Sequence, residues 1–361
     1  MTPPHDAKRP ATARDVARLA GVSQSAVSRA FTPGASVAAG TRERIERAAS
    51  ELGYRPNRLA RSLITSRSNL IGVVVPGLDN PFYASVVEQL GLAFEPLGYR
   101  LLLFSLHDRD RSDPVLSEVL SYRVGALVLV SAQLSSRLAV ECRAIGLPVV
   151  LLNRRLDGSE FSSVTGDNDQ GARCIAGFLL AGGHRRIGFM AGDSRSSTNR
   201  DREASFIEAL AQQGVSCLAR DTGHFTFDGG AVAARRMLAQ HPDLDAIFCA
   251  NDMMALAAMG VASREFGRSP GTDLSIVGYD DIAPSGWPSF GLTTYVQPVV
   301  LMVRQAADIL SRQLEDPGAP VVDWVVEGRL IVRESARLPP AGLLERDGER
   351  LWREPLVFSD S

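Results

Sequence analysis

Between residues 12 and 31, apolar and polar positions recur with helical spacing in two short blocks separated by a glycine. In the first, Thr12 stands at an N-cap, Val16, Ala17, Leu19 and Ala20 share one face, and Gly21 supplies the permissive backbone that ends the helix. In the second, Ser23 is the N-cap, Val27, Ala30 and Phe31 form a buried side, and Gln24, Ser25 and Arg29 are left pointing outward. A third block follows, in which Thr41 caps a helix carrying Ile45, Ala48, Ala49 and Leu52 and Gly53 closes it. Asn57 then opens a stretch of about two helical turns, too short to hold alone in water, with Arg58 and Arg61 on one side and Leu59, Ala60 and Leu63 on the other.

From Asn69 the pattern changes to strand–helix alternation. The apolar runs are Leu70–Val75, Arg100–Leu106, Ala126–Ser131, Pro148–Leu152, Arg186–Ala191, Ala246–Ala250 and Ser275–Tyr279. Helically spaced stretches such as Pro81–Leu97, Gly171–Ala181 and Asn251–Phe266 lie between them. Buried runs alternating with amphipathic helices predict parallel sheets covered on both faces. The stretch is too long for one such sheet, so it divides into two lobes. Leu70-Ile-Gly-Val-Val-Val and Arg186-Ile-Gly-Phe-Met-Ala, each opening a strand that feeds a helix, mark two similar copies.

Charge separates the two patterns. Residues 1–68 hold one Lys and eleven Arg against five acidic residues, a net of +7, and the remainder is at −9, although the whole chain is only −2. A basic head on an acidic body is the distribution of a phosphate-binding module joined to a domain that does not bind nucleic acid. On that reading the outward Gln24, Ser25 and Arg29 form a short polar helix suited to the major groove, where such side chains bond base edges; the plainer reading is an ordinary helical hairpin.

Several classes are excluded. No apolar stretch is long enough to span a membrane, and residues 1–11 lack an apolar signal core, so neither a membrane protein nor an exported one is expected. Cys142, Cys174, Cys217 and Cys249 are far apart in apolar settings and read as reduced core residues. The histidines have no metal spacing, and neither a phosphate-cradling glycine loop nor a nucleophile elbow is present, so no cofactor, metal or enzymatic activity is expected. Asp280-Asp281 is the nearest thing to a carboxylate pair, and adjacent residues on a loop usually point apart.

Ligands of doubly wound sheets sit beyond the carboxyl ends of the strands. There the chain places Asp79-Asn-Pro-Phe-Tyr83, the hydroxyl- and guanidinium-rich segment 192–202, Asn251-Asp252 and Asp280-Asp281. Aromatic faces with Asp, Asn and Arg are the groups that grip a small polyhydroxylated molecule; singly, Asn251, Asp280 and the serines also read as caps and turns.

The run Thr12–Arg29, the segment Glu51-Leu-Gly-Tyr-Arg-Pro-Asn-Arg58 and Ala60-Arg-Ser-Leu63 resemble the head and hinge of the lactose-repressor (LacI/GalR-type) family of bacterial transcription regulators, and the similarity continues to about Ser335. The resemblance implies a helix-turn-helix head on a periplasmic-binding-protein-like α/β body. It places Gln24, Ser25 and Arg29 at base-reading positions and makes 57–64 a hinge helix that orders on DNA. Leu63 falls where a side chain wedges between base pairs. The candidate DNA-contact set is Thr12, Ser23, Gln24, Ser25, Ser28 and Arg29 in the head, with Asn57, Ala60, Arg61 and Leu63 in the hinge. Phe82, Tyr83, Asp167, Arg202, Phe225, Asn251 and Asp280 match positions that line the family's effector cleft. Where the family commonly has Arg-Leu-Ala-Gly, this chain has Arg202-Glu-Ala-Ser205, so Glu203 is expected to change what Arg202 binds.

The expected organisation is a disordered N-terminus over 1–11, the head over 12–56, the hinge over 57–68, the effector-binding and dimerisation body over 69–337, and a mostly disordered tail over 338–361. Leu344 and Leu351 are one heptad apart, too little for a coiled coil, so a homodimer on a palindromic operator is expected rather than a tail-linked tetramer. The function read from these features is a cytoplasmic, nucleoid-associated, ligand-responsive regulator, a repressor by default, whose effector is a sugar or sugar derivative. The competing readings are a periplasmic-type solute-binding protein and a purine- or nucleoside-dependent corepressed regulator.

Overall fold

The computed structural model describes residues 9, 11–31, 34–55, 68–106, 113–132, 135–156, 158 and 160–354. The chain forms two compact units, Met1–Ser68 and Asn69–Ser361. The hinge candidates Asn57, Ala60, Arg61 and Leu63 lie outside the described residues, as do most of the N-terminal eleven and the last seven.

In the first unit three helices, α1 (Ala13–Ala20), α2 (Gln24–Ala30) and α3 (Ala39–Glu51), close on a core of Val16, Ala17, Ala20, Val27, Ala30, Ile45, Ala48 and Ala49. Thr12 caps α1 in a reciprocal box with Asp15, and Gly21 ends it in the left-handed conformation at φ 63°, which only glycine adopts freely. Ser23 caps α2 by accepting from Ala26 N at 3.2 Å. Two expectations fail here. Helix α3 begins at Ala39, so Thr41 lies in its first turn and the N-cap is Ala38, which has no side-chain acceptor. Leu19 is 47% exposed, because three short helices cover only the stripe through Val16, Ala17 and Ala20. The Arg42 guanidinium closes the α2–α3 connection by donating to the carbonyls of Ala30 and Ala35.

The second unit holds two sheets among its described residues. The first is built from β1 (Leu70–Val75), β2 (Arg100–Ser105), β3 (Ala126–Val130), β4 (Val149–Leu152), β5 (Ser162–Gly166) and β11 (Asp323–Val326), in the order β2-β1-β3-β4-β5-β11, all parallel. The second contains β6 (Ile187–Ala191), β7 (Ala219–Thr222), β8 (Ala246–Cys249), β9 (Ser275–Asp280) and β10 (Thr293–Val296), parallel in the order β7-β6-β8-β9-β10. It continues antiparallel through β12 (Leu330–Ile331), β14 (Glu349–Trp352) and β13 (Leu343–Arg346). The two similar runs noted in the sequence become β1 and β6, and each lies between its sheet's second and third strand. Helices α4 (Pro81–Phe94), α5 (Asp113–Ser121), α6 (Ser136–Ala144) and α11 (Val299–Glu315) belong to the first lobe. Helices α7 (Asn168–Ala181), α8 (Ser197–Gln212), α9 (Phe227–Gln240) and α10 (Asp252–Glu265) belong to the second. The chain passes between lobes three times: from β5 into α7, from β10 into α11, and from β11 into β12.

Strands β5, β7, β10 and β11 fall outside the predicted runs, since Ser-Ser-Val-Thr-Gly, Ala-Arg-Asp-Thr, Thr-Thr-Tyr-Val and Asp-Trp-Val-Val are not continuous apolar runs, and β12 is only two residues long. The expected disordered tail is also corrected. Residues 343–352 form a hairpin that extends the second sheet, because Trp352 buries itself against Phe178 (ring centroids 5.8 Å apart) and over Gly177. In the second lobe, Phe206 and Phe248 lie 4.9 Å apart, Phe248 and Tyr279 6.4 Å, and Tyr279 and Tyr295 5.1 Å, a line of rings leading to the lobe junction.

Ile45 is the largest side chain in the head's small core. Its truncation to Ala removes roughly 2–5 kcal/mol, comparable to the whole stability of so small a unit. Ile45→Ala is expected to unfold the head and abolish duplex binding while the calorimetric transition of residues 69–361 stays in place.

Candidate functional site

On the head, Gln24, Ser25, Ser28 and Arg29 are all exposed on α2. The Ser23 hydroxyl is engaged at the cap and lies 2.9 Å from that of Ser25, and the Thr12 hydroxyl is engaged with Asp15. Thr12 and Ser23 therefore set the helix ends, leaving Gln24 and Arg29 as the long donors on the outer face.

In the body, the predicted residues stand at or just past the carboxyl ends of strands, with Phe82 and Tyr83 on the first lobe and Asp167, Arg202, Phe225, Asn251 and Asp280 joined around the second. Asn80 caps α4 by accepting from Phe82 N at 3.0 Å, and Phe82 and Tyr83 meet edge to face at 5.4 Å. Asp167 caps α7 through Gln170 N at 2.9 Å, and its carbonyl accepts from the Tyr279 hydroxyl at 3.1 Å. Asn251 caps α10 through Met254 N at 3.0 Å, and its amide donates to the Phe225 carbonyl at 3.2 Å. The Phe225 ring covers Gly192, where a Cβ would fall 2.1 Å from it. The cap reading of Asn251 holds, and Asp167 caps a helix as well; both residues also stand past the carboxyl end of a strand.

Arg202 is the centre of this arrangement and is 1% exposed. Its guanidinium carbon lies 3.5 Å above the Tyr279 ring. Nε donates to Asn168 at 2.9 Å, and Nη1 donates to the Ala250 carbonyl and lies 3.7 Å from Asp280. Nη2 is buried with no partner among the described residues. Burial pushes the Asp280 carboxyl up to about 8, against the opposing pull of Arg202 and a bond from Gln297. The neighbouring Asp252, wholly buried, accepts from Ile282 N, Ser285 and Thr294 at 3.0, 2.7 and 2.6 Å and is pushed up by burial to about 6. Asp281 points apart from Asp280, to Arg333 at 2.8 Å, so the pair shares no proton.

The expectation for Glu203 is corrected. Its carboxylate is clamped by Arg220 at 2.5 and 3.0 Å and accepts from Asn199 at 3.2 Å, and it makes no bond to Arg202. On α8 adjacent residues face different ways, so Glu203 looks outward where Arg202 looks in.

Three residues that the sequence reading missed join the site. Gln297 donates to Asn153 at 2.8 Å, and its Oε1 is buried without a partner among the described residues. Asn153 in turn donates to Ser131 at 3.0 Å. Arg154, 7% exposed, donates to the Arg195 carbonyl at 2.6 Å across the lobe junction, and its Nε is unpartnered among the described residues. Asn153 and Arg154 directly follow the fourth strand, where the strand-end rule applies.

A second constellation is structural. His184 lies 2.8 Å from the Ser275 hydroxyl and 3.2 Å from Asp245, the order of a hydrolytic relay. Ser275 is buried, accepts from Arg337 N and opens β9, roughly 17 Å of strand from Asp280 at the other end. It ties the strand to its neighbours and has no room for a substrate. Among the described residues no cluster could hold a metal ion, and no helix is long and apolar enough to cross a membrane.

Residues 12–57 match the family described as bacterial regulatory proteins, lacI family, and residues 176–336 match the periplasmic binding protein-like domain. The transcriptional regulator CelR of Thermobifida fusca is 34% identical over 337 residues, covering 91% of this chain and 99% of that protein. Among solved structures, the lac repressor dimer bound to operator and the anti-inducer ONPF superimposes with a TM-score of 0.81 at 29% identity, covering 91% of this chain and all of that one. A CelR–cellobiose complex gives a TM-score of 0.69 at 33% identity over 90% of this chain and all of that one. An exposed polar helix on the head, a two-lobed body with a polar junction, and similarity over 91% of the chain agree: this chain belongs to the lacI family of bacterial transcriptional regulators.

Proposed function

We propose that the chain binds a palindromic operator as a homodimer and changes its hold when a small polyhydroxylated effector, a sugar, enters the junction of its lobes. The observation that carries the effector reading is the buried polar set at that junction. Among the described residues Arg202 Nη2 and Gln297 Oε1 have no partner, and unmet buried polar groups cost free energy that a ligand's hydroxyls recover. Phe82 and Tyr83 supply the apolar faces on which a sugar ring packs. The lac repressor and CelR structures, crystallised with operator and with cellobiose, support the same assignment. Asp167, Phe225, Asn251 and Asp280 complete the proposed ligand set, with Asn153 and Arg154 added.

On the head, Gln24, Ser25 and Arg29 read base edges, with Ser28 beside them. Residues 57–68 act as the hinge, and Leu63 opens the minor groove at the operator centre. A dimer matches its own twofold axis to the palindrome, so anything that alters the lobe angle at the dimer interface acts on both hinges together. Repression follows by occlusion, and the protein works in the cytoplasm on the nucleoid.

The test is fluorescence anisotropy with palindromic duplexes, repeated over a panel of mono- and disaccharides and nucleosides. Selective, salt-sensitive binding that one sugar weakens is expected; response to a nucleoside alone would overturn the sugar assignment, and binding without sequence preference would overturn the operator. Arg29→Ala is expected to lose about 1–3 kcal/mol of operator affinity and to relax one base position, with sugar binding unchanged by titration calorimetry.

Asp280 and Asp252 also set a pH dependence. Their carboxyls titrate higher folded than unfolded, so the folded state binds more protons between the ordinary carboxylate range and about 8, and stability falls as pH rises through that window. The thermal midpoint is expected to drop between roughly pH 4 and pH 8, and to drop less in Asp280→Asn.

A further inference from the structure

On the second lobe, apart from the residues of the Arg202 junction, lies a cavity of about 490 Å³. Its outer wall is the C-terminal hairpin, through Leu344, Leu351 and Trp352, and Tyr295 and Leu330 line it from the sheet. Its volume is in the range of small-molecule sites. The wall is anchored: the Trp352 indole donates to the Ala341 carbonyl at 3.0 Å and its rings pack on Phe178.

The lining is rich in guanidinium groups. Four arginines face it against two carboxylates, Glu327 and Glu354. Arg173 already holds Glu208 and Arg329 holds Glu349. Among the described residues, Arg346 has only Asp347, at 3.6 Å and largely in solvent, and Arg353 has no ion pair. Guanidinium groups beside an apolar wall recognise a carboxylate, sulfonate or phosphate joined to an apolar body.

The position gives the cavity leverage. Gln170 belongs to the first turn of α7, just past the first lobe crossing; Tyr295 precedes the second; Glu327, Gly328 and Arg329 are the third. Tyr295 is also the ring neighbour of Tyr279, which carries Arg202.

We propose that this cavity is a second small-molecule site, taking an organic anion with an apolar body, and that a ligand seated there bears on the same lobe crossings as a ligand at the Arg202 junction. The regulatory half of this rests on the effector reading above; the binding half does not.

The test uses the full chain and anilinonaphthalene sulfonate, whose rings and sulfonate fit the described chemistry, beside phenylnaphthylamine, which has the rings without the charge. The sulfonate is expected to bind saturably and to move the Trp352 indole N–H resonance, leaving those of the half-exposed Trp287 and Trp324 in place. The neutral compound is expected to bind at least about tenfold more weakly. Leu344→Glu, at a position 52% exposed, places a carboxylate beside the arginines and is expected to cost about tenfold in sulfonate affinity without moving the thermal transition. An unmoved Trp352 resonance, equal binding of the neutral compound, or full affinity in Leu344→Glu would overturn the proposal. None of these readouts needs operator or sugar, so they fail or succeed independently of the effector reading.

Discussion

A guanidinium sealed from water must be almost completely bonded, and the body of this protein is arranged around that constraint at Arg202. Tyr279 lies flat beneath it, Asn168 and the Ala250 carbonyl take two of its protons, and Asp280 stands 3.7 Å away. These partners come from α7, the end of β8 and the end of β9, so the position of one side chain fixes the relation of three elements. Among the described residues the set is incomplete at Nη2, and Gln297, on the crossing between β10 and α11, has an unmet oxygen. Buried cations and amides left unpaired are costly, and a junction built with open valences favours whatever fills them.

That incompleteness suits a regulator better than a catalyst. The carboxylates nearest the junction are held in different directions, Asp280 toward Arg202 and Gln297 and Asp281 toward Arg333, so no acid–base pair converges on a reacting atom. On the proposed function, a ligand at the junction bonds to both sides of a boundary crossed three times by the chain, since Asn153 and Arg154 come from the first lobe and Arg195 and Arg202 from the second. Binding energy then becomes a preference for one lobe angle, which is all that a two-state switch requires.

Much of this was legible in the sequence because the physics is local. Capping residues, a left-handed glycine and helical spacing mark α1 and α2, and apolar runs mark β1, β3, β4, β6, β8 and β9. The misses share a cause: they depend on partners distant in sequence. Strand β5 is polar yet buried because β4 and β11 flank it. The hairpin of 343–352 exists because Phe178 and Gly177 receive Trp352. Glu203 reads as a threat to Arg202 until Arg220, on β7, is seen to take it. Gln297 carries no local signal in the sequence, and its value comes from the Asn153 amide, 144 positions away.

The central claim is that occupancy of the junction and grip on DNA are one coupled equilibrium, and linkage tests it directly. The effector's affinity for the chain should be measured by titration calorimetry with and without saturating operator duplex. The account predicts that operator changes effector affinity by the same factor by which effector changes operator affinity. An effector affinity indifferent to operator would contradict it.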